Sequence, residues 1–114
     1  MNPSDIDDFS SKILSEVSSI GSLIHCAGMI KNGDIDSHGT ELLDEHYSIN
    51  VRAPYQLTRN LLPGIKSCCG QIVFVNSSAA LQSTRKDMIA YGASKYALKA
   101  IADGEFSFGA QELL

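Results

Sequence analysis

The chain has 114 residues, of which 44% are apolar and 19% charged, the composition of an ordinary globular protein with room for at most one domain. Its net charge of -4, with nine basic residues spread along the chain, argues against a nucleic-acid partner. No apolar run approaches the roughly 20 residues that span a bilayer, and the acidic first ten residues do not resemble a secretion signal, so the sequence predicts a cytoplasmic protein without a membrane partner.

The first predicted element is an amphipathic helix over residues 4–20. Its apolar residues recur at steps of three and four, which places them on one face of a helix: Ile6, Phe9, Ile13, Val17 and Ile20. Ser4, with Asp7 three residues later, is predicted to cap its start, and Gly21 is predicted to end it.

A short strand and a loop follow this helix. Residues 22–27 (SLIHCA) are mostly apolar and lead into Gly28, which is typical of a parallel strand buried on both faces. Residues 31–39 are polar and contain glycines, so they predict a loop.

Two helical segments are predicted to meet near Asn50. Thr40 opens the first one (ELLDEHYSIN), and the second follows directly (VRAPYQLTRNLLPGIK). Pro54 has no backbone N–H, so it fits the first turn of the second helix and predicts a break in the hydrogen-bond ladder near Asn50. Pro63 and Gly64 are predicted to end the second helix.

The last predicted elements are a strand and a helix. Residues 71–76 (QIVFVN) are β-branched and aromatic without polar alternation, which indicates a strand buried on both faces. Residues 88–103 are rich in alanine with apolar residues at helical spacing, so they predict a helix. The helical pattern decays afterwards, and residues 104–114 are predicted to form an atypical tail.

The order helix, strand, helix, strand, helix predicts an α/β fold: a partial doubly wound, Rossmann-like parallel sheet in a single partial domain over residues 1–114. Two parallel strands need covered faces and paired edges, so we expect neighbouring elements that this sequence does not supply. The three cysteines and three histidines show neither disulfide nor metal-ligand spacing, so we predict reduced thiols and no metal site.

Candidate chemical groups follow both strands. In open α/β sheets, ligands bind beyond the carboxyl ends of the strands, where Gly28 and Ser78 are predicted to lie. Tyr91 comes thirteen residues after Ser78, and Lys95 comes four residues later on the same face of one helix. An ammonium beside a phenol favours the phenolate, which would let Tyr91 act as an acid or a base.

Four segments in order resemble the short-chain dehydrogenase/reductase family over about residues 6–103. YGASKYALKAIA resembles the family's Tyr-x-x-x-Lys helix, and NSSAA resembles its catalytic-serine strand with the usual spacing of thirteen. HCAG resembles its Asn-Asn-Ala-Gly strand end, and INVRAPYQLTRNLLP resembles the helix that begins with its structural asparagine. The spacing favours the simple branch of the family over the nucleotide-sugar epimerases and dehydratases of the extended branch, which also use Tyr-x-x-x-Lys.

The resemblance implies a role for each matched residue. Tyr91 would exchange a proton with the substrate oxygen, and the Ser78 hydroxyl would hold that oxygen; Ser77 is the rival that the spacing rejects. Lys95 would bind the nicotinamide ribose and bias Tyr91, while Asn50 would hold a water against Lys95 through its carbonyl and amide side chain.

The cofactor contacts implied by the resemblance lie at the end of the first strand. His25, Ala27 and Gly28 would line the cofactor cleft, mainly through backbone atoms, and the side chain of His25 is expected to be structural. His25 and Cys26 replace the two asparagines of the family motif. The family's Thr-Gly-x-x-x-Gly-x-Gly turn, which cradles pyrophosphate, does not occur in the sequence, so we expect a fragment that lacks the cofactor-binding first half and the C-terminal strands.

Two functions follow. The first is an NAD- or NADP-dependent oxidoreductase that interconverts a small-molecule alcohol and a carbonyl. The second is a catalytically incompetent fragment that associates with another copy, as a homo-oligomer, through its long helices. Neither the substrate nor the choice between NAD and NADP is encoded in the residues present.

Overall fold

The computed structural model describes residues 2–81, 85–104 and 110–113 of the chain. Its main elements, in chain order, are α1 (Pro3–Glu16), β1 (Ser22–His25), α2 (Glu41–Tyr47), α3 (Ala53–Lys66), β2 (Gln71–Val75), α4 (Ile89–Gly104) and β3 (Ala110–Leu113). A π-helical segment, Ser48–Arg52, joins α2 to α3, and two 3₁₀ turns, Ser78–Ala80 and Lys86–Met88, lie between β2 and α4.

The three strands form one parallel sheet in the order β1-β2-β3. The predicted α/β fold, with parallel β1 and β2 separated by helices, is confirmed. The predicted atypical tail over 104–114 is wrong at residues 110–113, which form β3; AQEL carries none of the β-branched or aromatic residues that mark strands. Pairing with the second edge of β2 supplies backbone hydrogen bonds that favour an extended conformation there. Residues 105–109 and 114 of the predicted tail lie outside the described residues.

The hydrophobic core lies between the sheet and the helices α3 and α4. Its fully or almost fully buried members are Leu61, Ile65, Ile72, Phe74, Leu98 and Ala102. Leu23 of β1 packs against this core, so the next side chain, Ile24, points to the opposite face of the sheet and is 56% exposed. The prediction that β1 is buried on both faces is therefore wrong for the described residues, whereas the three central residues of β2 are all buried, as predicted.

The first helix begins earlier and ends earlier than predicted. The side chain of Asn2, and not that of Ser4, provides the cap, because its oxygen accepts a hydrogen bond from the Ser4 N–H at 3.0 Å. Val17 is extended, and the Ile20 N–H donates to the Gly64 carbonyl of α3 at 2.9 Å. The end of α1 is thus fixed by a tertiary contact that periodicity does not reveal.

The predicted break near Asn50 is confirmed as the π-helical segment, with Pro54 in the first turn of α3. Pro63 and Gly64, however, lie inside α3 and do not end it. Pro63 cannot donate a backbone hydrogen bond, which weakens the helix at this position. Continuing the helix nevertheless places Ile65 in the core with 1% exposure, and the burial of this side chain favours the continuation.

Within the described ranges, none of the helices combines the length and apolar character that crossing a membrane requires.

Candidate active site

The carboxyl ends of β1 and β2 meet α4 at one edge of the sheet. Asn76, directly after β2, is buried, and its amide nitrogen donates to the Lys95 carbonyl at 3.2 Å. The amide oxygen of the same side chain accepts from the Ser77 N–H at 2.9 Å. Asn76 therefore fixes the end of β2, where the two serines begin, against the helix that carries Tyr91 and Lys95.

Lys95 and Tyr91 lie on the same face of α4, as predicted. The Lys95 ammonium is 5.8 Å from the centroid of the Tyr91 ring, within the range of a cation–π contact. Lys95 is only 6% exposed, and burial lowers the pKa of its ammonium from its ordinary value.

Gly28 meets Lys95 and Asn50 from the end of β1. A Cβ atom built on Gly28 would lie 3.5 Å from the Lys95 Nζ atom and 3.6 Å from the Asn50 Oδ1 atom. Three residues that are far apart in sequence thus converge on one point, next to the phenol ring of Tyr91.

Asn50 is 1% exposed and lies at the centre of the π-helical segment. Its Oδ1 atom accepts from the Met29 N–H at 2.7 Å, and its Nδ2 atom donates to the Met29 carbonyl at 2.9 Å and to the Ser94 Oγ atom at 3.0 Å. Both amide hydrogens are therefore used within the fold, so the predicted water contact falls to the acceptor oxygens: Oδ1 with its second lone pair, and the backbone carbonyl. Pro54, four residues later, has no N–H to donate to that carbonyl.

The two serines after β2 occupy different positions. The Ser77 Oγ atom accepts from the Ala79 N–H at 3.2 Å and so caps the 3₁₀ turn. Ser78 is exposed at the first position of that turn, which packs against α4. Because Ser77 is used as a cap, Ser78 offers the more accessible hydroxyl near the helix of Tyr91.

His25 is buried and makes its side-chain contacts within the fold. Its ring stacks on Phe74 with the centroids 4.9 Å apart, and its Nε2 atom lies 2.8 Å from the Thr58 hydroxyl. Burial lowers the pKa of His25 to about 4.

A cleft of about 400 Å³ opens beside the end of β1, between α1 and the start of α3. Ala27 and His25 line one side of it, and Ile6, Phe9 and Ile49 are among its apolar walls. Such a cleft can receive a flat apolar group close to the strand end that carries Gly28.

Two residues of this region, Ser94 and His46, were not predicted from the sequence to belong to the site. The Ser94 hydroxyl is fully buried, donates to the Tyr91 carbonyl at 2.7 Å and accepts from Asn50. His46 is fully buried with its ring near that of Tyr91. Their positions in the sequence could have indicated both residues. Ser94 stands between Tyr91 and Lys95, and His46 precedes Asn50 by one helical turn.

The residues at this edge of the sheet could contact the ribose of a dinucleotide, but they do not include a binding turn for its pyrophosphate. The buried Lys95 ammonium, beside Tyr91 and Gly28, can donate a hydrogen bond at the edge of the sheet to an oxygen acceptor such as a ribose hydroxyl. No glycine-rich turn for a pyrophosphate occurs in the sequence. In the described part of the chain, no three side chains of His, Cys, Asp or Glu cluster closely enough to hold a metal ion.

Comparison with known proteins gives consistent matches. The family model of short chain dehydrogenases matches residues 1–105. The chain is 29% identical over 91 residues to 2,3-dihydro-2,3-dihydroxybenzoate dehydrogenase of Escherichia coli, an alignment that covers 80% of this chain and 37% of that protein.

Solved structures agree with the sequence matches. A short-chain dehydrogenase from Streptomyces avermitilis is 26% identical with a TM-score of 0.83, over 98% of this chain and 43% of that one. A short-chain dehydrogenase of Shigella flexneri, in complex with NADP, is 27% identical with a TM-score of 0.78, over 90% of this chain and 43% of that one. The chain thus spans less than half the length of these relatives, and over that length it belongs to the short-chain dehydrogenase family.

Proposed function

We propose that the chain carries the proton-transfer site of an NAD- or NADP-dependent oxidoreductase that interconverts an alcohol and a carbonyl group. One observation supports this above all: the Lys95 ammonium, the Tyr91 ring, Asn50 and Gly28 converge at the carboxyl edge of the sheet. Family membership and the NADP complex of the Shigella flexneri relative support the same proposal.

Tyr91 is the acid or base in this proposal. Its phenol donates a proton to a carbonyl oxygen in reduction and takes one from a hydroxyl in oxidation. The exposed Ser78 hydroxyl donates a hydrogen bond to the same substrate oxygen and so orients it toward Tyr91.

Lys95 and Asn50 complete the proton path. The ammonium over the Tyr91 ring stabilises negative charge on the phenol when the proton leaves. The backbone carbonyl of Asn50 receives no α-helical hydrogen bond from Pro54, because proline has no N–H. In this proposal the carbonyl holds a water that returns a proton from solvent toward Lys95.

A nicotinamide cofactor, when bound, supplies or accepts the hydride. Lys95 and Tyr91 would hold its ribose hydroxyls, and Gly28, which has no side chain, would let the cofactor approach the backbone closely. His25 and Ala27, which line the cleft beside the end of β1, would lie on the adenosine side of the cofactor. Since the sequence carries no pyrophosphate turn, we expect weak affinity from this chain alone.

A titration of NADH and NADPH against the full chain tests the proposal, with cofactor fluorescence and calorimetry as readouts. Binding is expected to weaken about tenfold or more in Lys95→Met, since a hydrogen bond from a charged donor contributes about 1.5–3 kcal/mol. Lys99→Met, one turn later on α4, is the control, because Lys99 makes an ion pair with Asp103 at 2.7 Å. Equal affinities of the two variants, or no binding by the unmodified chain, would contradict the proposal.

A second candidate function is association through the outer faces of α3 and α4. Tyr55 and Tyr96, one on each helix, are 56% and 45% exposed, and Tyr55 and Ile101 line a groove of about 200 Å³. Aromatic side chains are enriched at protein interfaces. Light scattering tests this function: we expect a dimer that becomes a monomer in the Tyr55→Ser, Tyr96→Ser double variant, and a monomeric unmodified chain would exclude it.

A further inference from the structure

His46 is a fully buried histidine in α2, and both nitrogens of its ring have partners in the fold. The Nδ1 atom lies 2.7 Å from the Leu42 carbonyl oxygen, which can only accept, so the hydrogen-bond network assigns the ring proton to Nδ1. The Nε2 atom is 3.2 Å from the Lys31 N–H, from which it accepts. His46 thus holds the backbone of the segment that follows Gly28.

Two side chains one helical turn apart hold this segment together. Asn50 binds the N–H and the carbonyl of Met29, and His46 binds the N–H of Lys31. The loop from Gly28 to Lys31 is therefore fixed to α2 and the π-helical segment by three hydrogen bonds. An ion pair between Lys31 and Glu45, at 3.6 Å, lies on the exposed side of the same contact and adds little.

The His46 ring also meets the ring of Tyr91. Their centroids are 6.1 Å apart and their planes are inclined at 66°, an edge-to-face arrangement. Lys95 lies 5.8 Å from the centroid of the same phenol ring, so an imidazole and an ammonium both neighbour Tyr91. A half-buried tyrosine at the start of a helix depends on such neighbours for a fixed ring orientation.

We propose that His46 is a positioning residue for Tyr91: its imidazole holds the loop after β1 through Lys31 and fixes the orientation of the phenol ring by edge contact. The inference rests on the proposed function only in assigning the acid/base role to Tyr91. Fixing the ring fixes the direction of its hydroxyl, and a displacement of about 1 Å at such a group is enough to slow a reaction by roughly a hundredfold.

Nuclear magnetic resonance of the full chain can test separately the hydrogen bond from the Lys31 N–H to His46 and the contact between the His46 and Tyr91 rings. His46→Gln retains an acceptor for the Lys31 N–H but removes the ring, so the Tyr91 ring signals are expected to shift while the Lys31 amide stays protected. His46→Phe retains a ring but removes the acceptor, so the Lys31 amide is expected to exchange about tenfold faster with solvent. Tyr91→Phe assigns the Tyr91 signals among the four tyrosines.

His38→Gln is the matched control, because His38 is exposed and its substitution should leave both readouts unchanged. Nuclear Overhauser contacts between the His46 and Tyr91 rings are expected in the unmodified chain, a readout that needs no variant to fold. Absence of those contacts, or Tyr91 signals in folded His46→Gln that coincide with the unmodified ones, would overturn the inference. Neither readout needs a cofactor, so a failure to bind NADH contradicts the proposed function and leaves this test intact.

Discussion

His25 occupies the position at which the family's strand-end motif has an asparagine. Its ring is buried between the aromatic ring of Phe74 and the hydroxyl of Thr58, and burial lowers its pKa from 6.5 to about 4. The folded chain therefore holds this imidazole neutral at a pH at which the unfolded chain has already protonated it.

Lowering the pH should destabilise the fold through His25. The unfolded chain takes up a proton near pH 6.5 and the folded chain only near pH 4, so stability present above pH 6.5 is lost progressively between these values. The full effect of such a difference in pKa is about 3 kcal/mol.

Urea denaturation at intervals from pH 7 to pH 4.5 measures this loss. His25→Asn should flatten the dependence of the unfolding free energy on pH, whereas His38→Gln, at an exposed histidine, should leave it unchanged. Equal slopes for His25→Asn and the unmodified chain would contradict the assignment to His25.

At the scale of single residues, the spacing of residues in the sequence predicted where the candidate site lies, but it did not predict all the hydrogen bonds that its side chains make. The four-residue step brings Tyr91 and Lys95 to one face of α4, as expected for a helix. The contacts of the Asn50 amide with Met29 and Ser94 were not predicted, because the contact with Met29 depends on how the loop after β1 folds back. No periodic pattern encodes such a loop.

Among the elements, the π-helical segment carries Asn50, whose side chain joins it to the loop after β1 and to α4. Replacing Asn50 by Ala would leave the N–H and carbonyl of Met29, and the hydroxyl of Ser94, without this partner. We expect a loss of about 2–4 kcal/mol in the free energy of unfolding, since part-buried polar groups lose their hydrogen bonds.

Asn60→Ala, on α3, is the control for this substitution. Asn60 also donates two hydrogen bonds, to Asp7 and Ser10, but on a more exposed face, so we expect a loss of only about 0.5–1.5 kcal/mol. Urea midpoints compare the two variants, and similar losses would mean that Asn50 does not hold the loop.

The turn between α3 and β2 requires a glycine at position 70. A Cβ atom on Gly70 would collide with the carbonyl oxygen of Ile20, whereas one on Gly21 would meet none of the described atoms within 4 Å. Gly70→Ala should therefore cost about 1–3 kcal/mol through backbone displacement, and Gly21→Ala much less. Thermal unfolding of both variants checks this, and equal midpoints would show that the turn relaxes freely.

Sequence patterns predicted an element well where its composition strongly favours a helix or a strand. They predicted it poorly where a tertiary contact determines whether the element forms or where it ends. The β-branched run of β2 and the alanine-rich α4 were found nearly residue for residue. The end of α1 depends on the bond from Ile20 to Gly64, and β3 depends on pairing with β2, so neither is visible in local composition.

For the molecule as a whole, the described residues leave the sheet face opposite the core exposed at Ile24 of β1, although Val73 of β2 on that same face is buried. Ile24 and Ile72 test the difference between the two faces, because both are strand isoleucines and lie on opposite faces with 56% and 0% exposure. Ile72→Ala should cost about 2–5 kcal/mol and Ile24→Ala under about 1 kcal/mol. Urea denaturation gives both values, and an equally large cost for Ile24→Ala would show that this face is covered in solution, for example by a second copy.

The parallel pairing of the strands also sets how the chain can fold. Ser22 pairs with Gln71 and Ile72 pairs with Ala110, so each pairing closes a loop of roughly 40–50 residues, and neither arises from a hairpin. Such non-local pairings make folding slow. A strand pair becomes stable only after the intervening helix has docked, so substitutions on the inner face of α3, such as Leu61→Ala, should slow folding more than substitutions in the connecting turns.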